Sequence, residues 1–197
     1  MQHEISKYLA SAKQAIDMLD LNEINNFINI LIDAYEKGSN IYIFGNGGSA
    51  STASHFACDF NKGINSNLFK KFRVLSLTDN IPTMLAYAND IDYNSLFVEQ
   101  LKNFLKEDDV VIGISGSGNS KNVLKAIEYA NQKNNLTVGI TGFDGGNLKK
   151  IARYSVNVNV NNMQITEDLH MMITHLIMTV LNNHISIEKK VLAEEYV

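Results

Sequence analysis

The stretch Ile41-Tyr42-Ile43-Phe44-Gly45-Asn46-Gly47-Gly48-Ser49 decides the fold. Four apolar, β-favouring residues run without a polar break, which suits a strand buried on both faces. Glycines follow at once, and a helical pattern opens at Ser49–Phe60. A strand that passes through glycines into a helix is half of a βαβ unit. The arrangement recurs where Val110–Ser115 enters Ser115-Gly116-Ser117-Gly118-Asn119-Ser120 and then the helical Ser120–Lys133. Short apolar runs also stand at Val74–Leu77, Leu136–Thr141 and Val156–Val160, with a helical pattern at Leu96–Leu105. Such alternation predicts an α/β fold, a parallel sheet with helices on both faces.

Working outward, two helices are expected at Glu4–Leu19 and Glu23–Lys37. In the second, Ile24, Phe27, Ile28, Leu31 and Ile32 make one apolar face, and Gly38 suits its C-terminal cap. A long final helix is expected at about Ile165–His184. Its face of Leu169, Ile173, Leu176, Ile177 and Val180 should pack on the core or on another subunit.

Composition limits the function. The chain has 197 residues, which reads as one domain, and its 45% hydrophobic content excludes a disordered chain. No apolar run reaches the ~18 residues that a membrane span needs. The first twenty residues mix charge with apolar side chains, unlike a signal peptide. Cys58 is the lone cysteine, so the redox expectation is cytoplasmic. A net charge of -4 argues against a nucleic-acid partner. Arg73 and Arg153 are the only arginines, so a bound phosphate would rest mainly on backbone N–H groups and hydroxyls. The Lys70-Lys71-Phe72-Arg73 cluster could steer an anion or be a solvated face.

The two glycine turns lie where open α/β sheets bind ligands, beyond the carboxyl ends of strands. Glycines admit a close ligand, and the following helix presents free N–H groups to an anion. Ser115, Ser117 and Ser120 add hydroxyl donors. Neither turn has the Gly-Lys-Ser/Thr of a Walker loop or dinucleotide glycine spacing. One such turn reads equally as an ordinary capped turn; two together favour a phosphate or polar ligand site. The Gly142–Gly146 segment reads as a structural turn.

A metal and acid–base set is also visible. His55 and Asp59 are four apart and share a helix face. Glu167, Asp168, His170 and His175 supply a second His/carboxylate set on the last helix. Histidine and carboxylate ligands of this kind suit zinc with an open position. By the same spacing, His55–Asp59 reads as a surface pair and His170 as a packed core histidine.

Taken together, Gly45-Asn46-Gly47-Gly48-Ser49, His55-Phe56-Ala57, Ala88-Asn89-Asp90, the serine-rich turn, Thr141-Gly142-Phe143-Asp144-Gly145-Gly146 and Glu167-Asp168-Leu169-His170 resemble the phosphosugar-binding SIS domain in order. The match is closest to sedoheptulose 7-phosphate (phosphoheptose) isomerases and covers nearly the whole chain. The resemblance implies a flavodoxin-like three-layer sandwich around a five-stranded parallel sheet. It implies a single SIS domain over 1–197, with N-terminal helices (1–38) used for oligomerisation and an α/β core (39–197) ending in the long helix. It further implies a homotetramer, one zinc per subunit, and His55, Asp59, Glu167 and His175 as metal ligands. Asn46, Gly47, Gly48, Asn89 and Asp90 would line the sugar phosphate, along with Asp59 and Glu167. Ser115, Gly116, Ser117 and Ser120 would hold the phosphate. His170 then reverts to packing.

Two departures stand out. Asp59 replaces the family's usual glutamate, and Glu167 its usual glutamine. Asp59 is one methylene shorter, which puts its reach in question, while Glu167 adds negative charge. By resemblance the reaction is a ketose–aldose isomerisation giving D-glycero-D-manno-heptose 7-phosphate for heptose and glycan precursors. Asp59 would be the base and His175 the acid. An isomerase of another phosphosugar is one alternative. A non-catalytic SIS module of the kind that associates with a replication initiator is the other; the relative of that kind lacks the carboxylate and second histidine that this chain keeps.

Overall fold

Alternation of side chains along each strand divides the core in two. Ile41 and Ile43 face one side of the sheet, and Tyr42 and Phe44 face the other. The computed structural model describes the backbone of residues 1–195 and the side chains of residues 1–66 and 68–185. Its five strands are β1 (Asn40–Gly45), β2 (Arg73–Ser76), β3 (Val110–Ser115), β4 (Leu136–Gly142) and β5 (Tyr154–Val158). All pair in parallel, in the order β2-β1-β3-β4-β5. The expected three-layer α/β sandwich is thus observed.

On one face lie α2 (Leu21–Lys37), α3 (Gly48–Cys58) and α8 (Met163–Glu195), with α1 (Gln2–Asp17) outside them. Phe27, Leu31, Phe56, Ile173 and Ile177 pack there on Ile41, Ile43, Ile112 and Ile140. On the other face α5 (Leu96–Phe104), α6 (Lys121–Gln132) and α7 (Gly146–Ile151) contribute Phe97, Leu101, Ile127 and Leu148. Phe97 stacks on Phe44 with centroids 4.7 Å apart.

The order of the sheet sets the site. The chain moves from β1 to β2 on one side and returns to β3 on the other. Connections leaving β1 and β3 therefore diverge, which opens a crevice at their carboxyl ends. The turns after Gly45 and Ser115 flank that crevice.

Several boundaries differ from the sequence reading. The α3 helix ends at Cys58, and the chain continues as a π-helix over Asp59–Ile64. A helix at Ile81–Asp90 (α4) was not expected: none of its residues is fully buried, and only Met84, Tyr87 and Ala88 pack half-buried on the core. Its start is nevertheless marked by Pro82 and by Asn80, whose side chain accepts from Thr83 N–H at 3.2 Å. The final helix runs past His184 to Glu195. In α2, Phe27 and Leu31 are fully buried in the core. In α1, Tyr8, Ala12 and Ala15 pack on that core, while Ile5, Leu9 and Ile16 are exposed.

Candidate active site

The first turn is built for close approach. Gly47 caps α3 with φ +54°, a left-handed conformation that glycine adopts without strain. A Cβ on Gly48 would lie 2.5 Å from Glu167 Oε2, so the carboxylate rests directly on this glycine at the helix N-terminus. That end of a helix favours negative charge.

Asn46 leaves β1 toward β3. Its Nδ2 donates to Asn122 Oδ1 at 2.9 Å, and its Oδ1 accepts from Asn122 Nδ2 at 2.8 Å and from Tyr93 OH at 3.0 Å. In the second turn, Ser115 and Ser120 hydroxyls lie 3.0 Å apart, and Ser117 Oγ accepts from Asn119 N–H at 3.2 Å. The glycine segment at 142–146 braces this turn: Gly142 N–H donates to Gly116 O at 2.9 Å, and Leu148 N–H to Gly118 O at 2.8 Å. Its reading as a structural turn therefore matches what it does.

Helices α3 and α8 cross beside the first turn. His55 on α3 and Asp59, one turn on at the start of the π-helix, meet His175 of α8. The donor atoms of these three residues lie within 4.8 Å of one another. His55 Nε2 and His175 Nε2 are 2.8 Å apart, and Asp59 Oδ2 stands 3.3 Å and 3.7 Å from them. Asp59 is short but reaches. Among the described residues its buried Oδ2 has no hydrogen-bond partner. A buried, unpartnered carboxylate oxygen facing two imidazole nitrogens is the arrangement a divalent cation satisfies. The donor set therefore fits zinc.

Glu167 rests on Gly48. It lies eight residues before His175 on α8, about 12 Å along the helix axis. Asn89 and Asp90 lie exposed in the last turn of α4, where Asn89 Nδ2 donates to Asp90 Oδ1 at 2.7 Å. From this segment it is Tyr93 that reaches Asn46. Neither Tyr93 nor Asn122 was singled out by sequence; the only hint was the position of Asn122 in the first turn of a helix after a serine-rich loop.

His170 is fully buried, and its Nε2–H donates to Thr141 O at 3.0 Å. Burial pushes its pKa below the ordinary imidazole value, against the bond to Thr141. The lysine cluster does not face the crevice turns. Lys71 Nζ donates to Asn65 O at 2.7 Å, Lys70 Nζ to Glu36 O, and Phe72 is core. These residues clasp the loop before β2.

A doubly wound sheet with a ligand crevice at its switch point and a His/Asp trio alongside defines a class, and the SIS domain family matches residues 6–142. A phosphoheptose isomerase of Helicobacter pylori is 34% identical over 183 residues, covering 91% of this chain and 95% of the relative. One of Clostridium acetobutylicum is 32% identical over 169 residues, covering 86% of each. The chain belongs to the phosphoheptose isomerase family. Among solved structures, phosphoheptose isomerases of Francisella tularensis and Neisseria gonorrhoeae share the fold, with TM-scores of 0.85 and 0.84 at 24% and 23% identity. Each alignment covers 92% of this chain and 98% of the other.

Proposed function

We propose that the protein isomerises sedoheptulose 7-phosphate to D-glycero-D-manno-heptose 7-phosphate, an aldose–ketose conversion that feeds heptose-containing glycans. Family membership supports the reaction class. The observation that carries the site is the convergence of Asp59, His55 and His175 beside the Asn46–Ser49 turn.

The phosphate rests on Ser115, Gly116, Ser117 and Ser120, where backbone N–H groups and hydroxyls replace arginine. Asn46, Gly47 and Gly48 contact the sugar, with Asn89 and Asp90 on the α4 side. Asp59 takes a proton from C1, beside the C2 carbonyl, giving an enediol. His175 moves protons between O1 and O2, a role that suits imidazole near neutral pH. The protonated Asp59 carboxyl, exchanging with solvent, then delivers a proton to C2 and is again a carboxylate. His55, Asp59, Glu167 and His175 would hold one zinc, with Asp59 and Glu167 also meeting the sugar. When bound, the metal polarises the carbonyl.

Further parts of the reading concern the whole molecule. It is a single SIS domain acting in the cytoplasm. Among the described residues no helix is long and apolar enough to cross a membrane. The exposed Ile5, Leu9 and Ile16 of α1 support a homotetramer built through the terminal helices.

The test is turnover of sedoheptulose 7-phosphate in deuterated water with and without zinc, followed by NMR. The expected result is an aldose carrying deuterium at C2, lost in His175→Ala and Asp59→Asn. Folded protein that binds the sugar phosphate yet gives neither product nor exchange would refute the reading.

A further inference from the structure

The amide pair beneath the first turn does more than pack. Asn122 is 2% exposed, at the start of α6. Its Oδ1 accepts from the Val123 backbone N–H at 2.9 Å, a donor whose identity is beyond exchange. That bond orients the amide, so Asn122 Nδ2 must face an acceptor, which is Asn46 Oδ1 at 2.8 Å. Asn46 is thereby oriented in turn. Its Oδ1 receives two donors, Asn122 Nδ2 and Tyr93 OH, and both lone pairs are used. Its Nδ2 spends one hydrogen on Asn122 Oδ1. Among the described residues, the second N–H of Asn46 meets no acceptor.

We propose that Asn122 and Tyr93 are positioning residues that lock the Asn46 side chain as a single hydrogen-bond donor toward the bound sugar phosphate. The pair spans the switch point, tying the β1 turn to the α6 N-terminus behind the serine turn. The ligand atom that meets Asn46 is therefore an oxygen acceptor: a hydroxyl, carbonyl or phosphate oxygen. A ligand that offers only N–H donors at this point is rejected, because Asn46 has no oxygen lone pair left to receive them. Without the lock the Asn46 amide can rotate and present either end. The inference rests on the proposed phosphosugar site and names what fixes its geometry.

The experiment compares wild type, Asn122→Ala, Tyr93→Phe and the double variant. Binding of sedoheptulose 7-phosphate is read by calorimetry and turnover by NMR, with thermal melting as a control. Loss of one oriented neutral hydrogen bond corresponds to about a tenfold change in affinity. Asn122→Ala is expected to raise Kd and KM about tenfold, with kcat held within about twofold. Tyr93→Phe alone is expected to act weakly, and more strongly in the Asn122→Ala background, as coupled partners do. In wild type, adding the sugar phosphate shifts one of the two Asn46 side-chain amide protons far more than the other. A folded Asn122→Ala with unchanged Kd and KM overturns the inference, as do equal shifts of the two protons. So does an equal loss of kcat and stability without a change in KM. Wild type that binds but does not turn over overturns the isomerase reading alone, since the affinity comparison still stands. No binding by wild type overturns both.

Discussion

Lowering the pH from ~7.5 to ~5.5 tests the protonation state of His170 in the native fold. The ring is fully buried, its Nε2–H is committed to Thr141 O, and its Nδ1 has no partner among the described residues. Burial holds its pKa below the ordinary 6.5, so the native ring stays neutral where an unfolded one takes up a proton. The sign follows from linkage. A depressed pKa contributes stability that is full above 6.5 and is lost as the pH falls toward the folded value. At one unit below its ordinary pKa the unfolded histidine gains RT ln(1 + 10), about 1.4 kcal/mol. That is the largest stability loss this one residue can contribute over the step. With a urea slope of about 2 kcal/mol/M, the midpoint falls by about 0.7 M. The measurement is a difference between wild type and a variant that lacks the ring. Urea unfolding of wild type and His170→Gln is followed at both pH values and one protein concentration. Glutamine can still donate to Thr141 but does not titrate. Wild type should lose up to about 1.4 kcal/mol more than the variant on acidification. Parallel pH dependences would show that His170 titrates alike folded and unfolded, and the reasoning from burial would fail.

Three further outcomes are expected. Gly48→Ala places a methyl 2.5 Å from Glu167 Oε2, the far end of a flexible side chain. Folding stability should change by less than about 1 kcal/mol while kcat/KM drops at least about tenfold, read by melting and turnover together. Zinc at ~100 times its Kd should stabilise the native protein by about 2.7 kcal/mol, and Asp59→Asn should abolish that gain in thermal melts with and without chelator. Asp109 is 2% exposed and accepts from Asn40 N–H at 2.8 Å, Asn40 Nδ2 at 3.1 Å and Lys106 N–H at 2.8 Å. Asp109→Ala should therefore cost about 3 kcal/mol or more in urea unfolding, with activity per folded molecule unchanged, since it sits at the opposite end of the sheet.

Much of this was legible in order along the chain. Strand runs such as Ile41–Phe44 and Val110–Ser115 are continuous and apolar because both their faces are covered. Local chemistry thus announces a parallel sheet before any contact is known. The turns at Asn46–Ser49 and Ser115–Ser120 are equally local, since glycine and serine are what a backbone-lined anion site needs. The pairing of His55 with Asp59 follows from one helical turn. By contrast, α4 carries only a short, half-buried stripe of Met84, Tyr87 and Ala88, a weak periodic signal beside those of the core helices.

What only the tertiary structure decided is which distant residues meet. Spacing could not choose between His170 and His175. The rotation of α8 against α3 chooses, turning His170 into the core on Thr141 and His175 onto Asp59. It also sets Glu167 on Gly48, while strand order brings Asn122 and Tyr93 to Asn46 across separations of 76 and 47 residues. Sequence by itself determined the elements, the glycine turns and the residue types available for chemistry, because those depend on neighbours along the chain. The assembly of the site depends on strand order and helix rotation. Both are set by the summed burial of two apolar faces, which no single segment encodes.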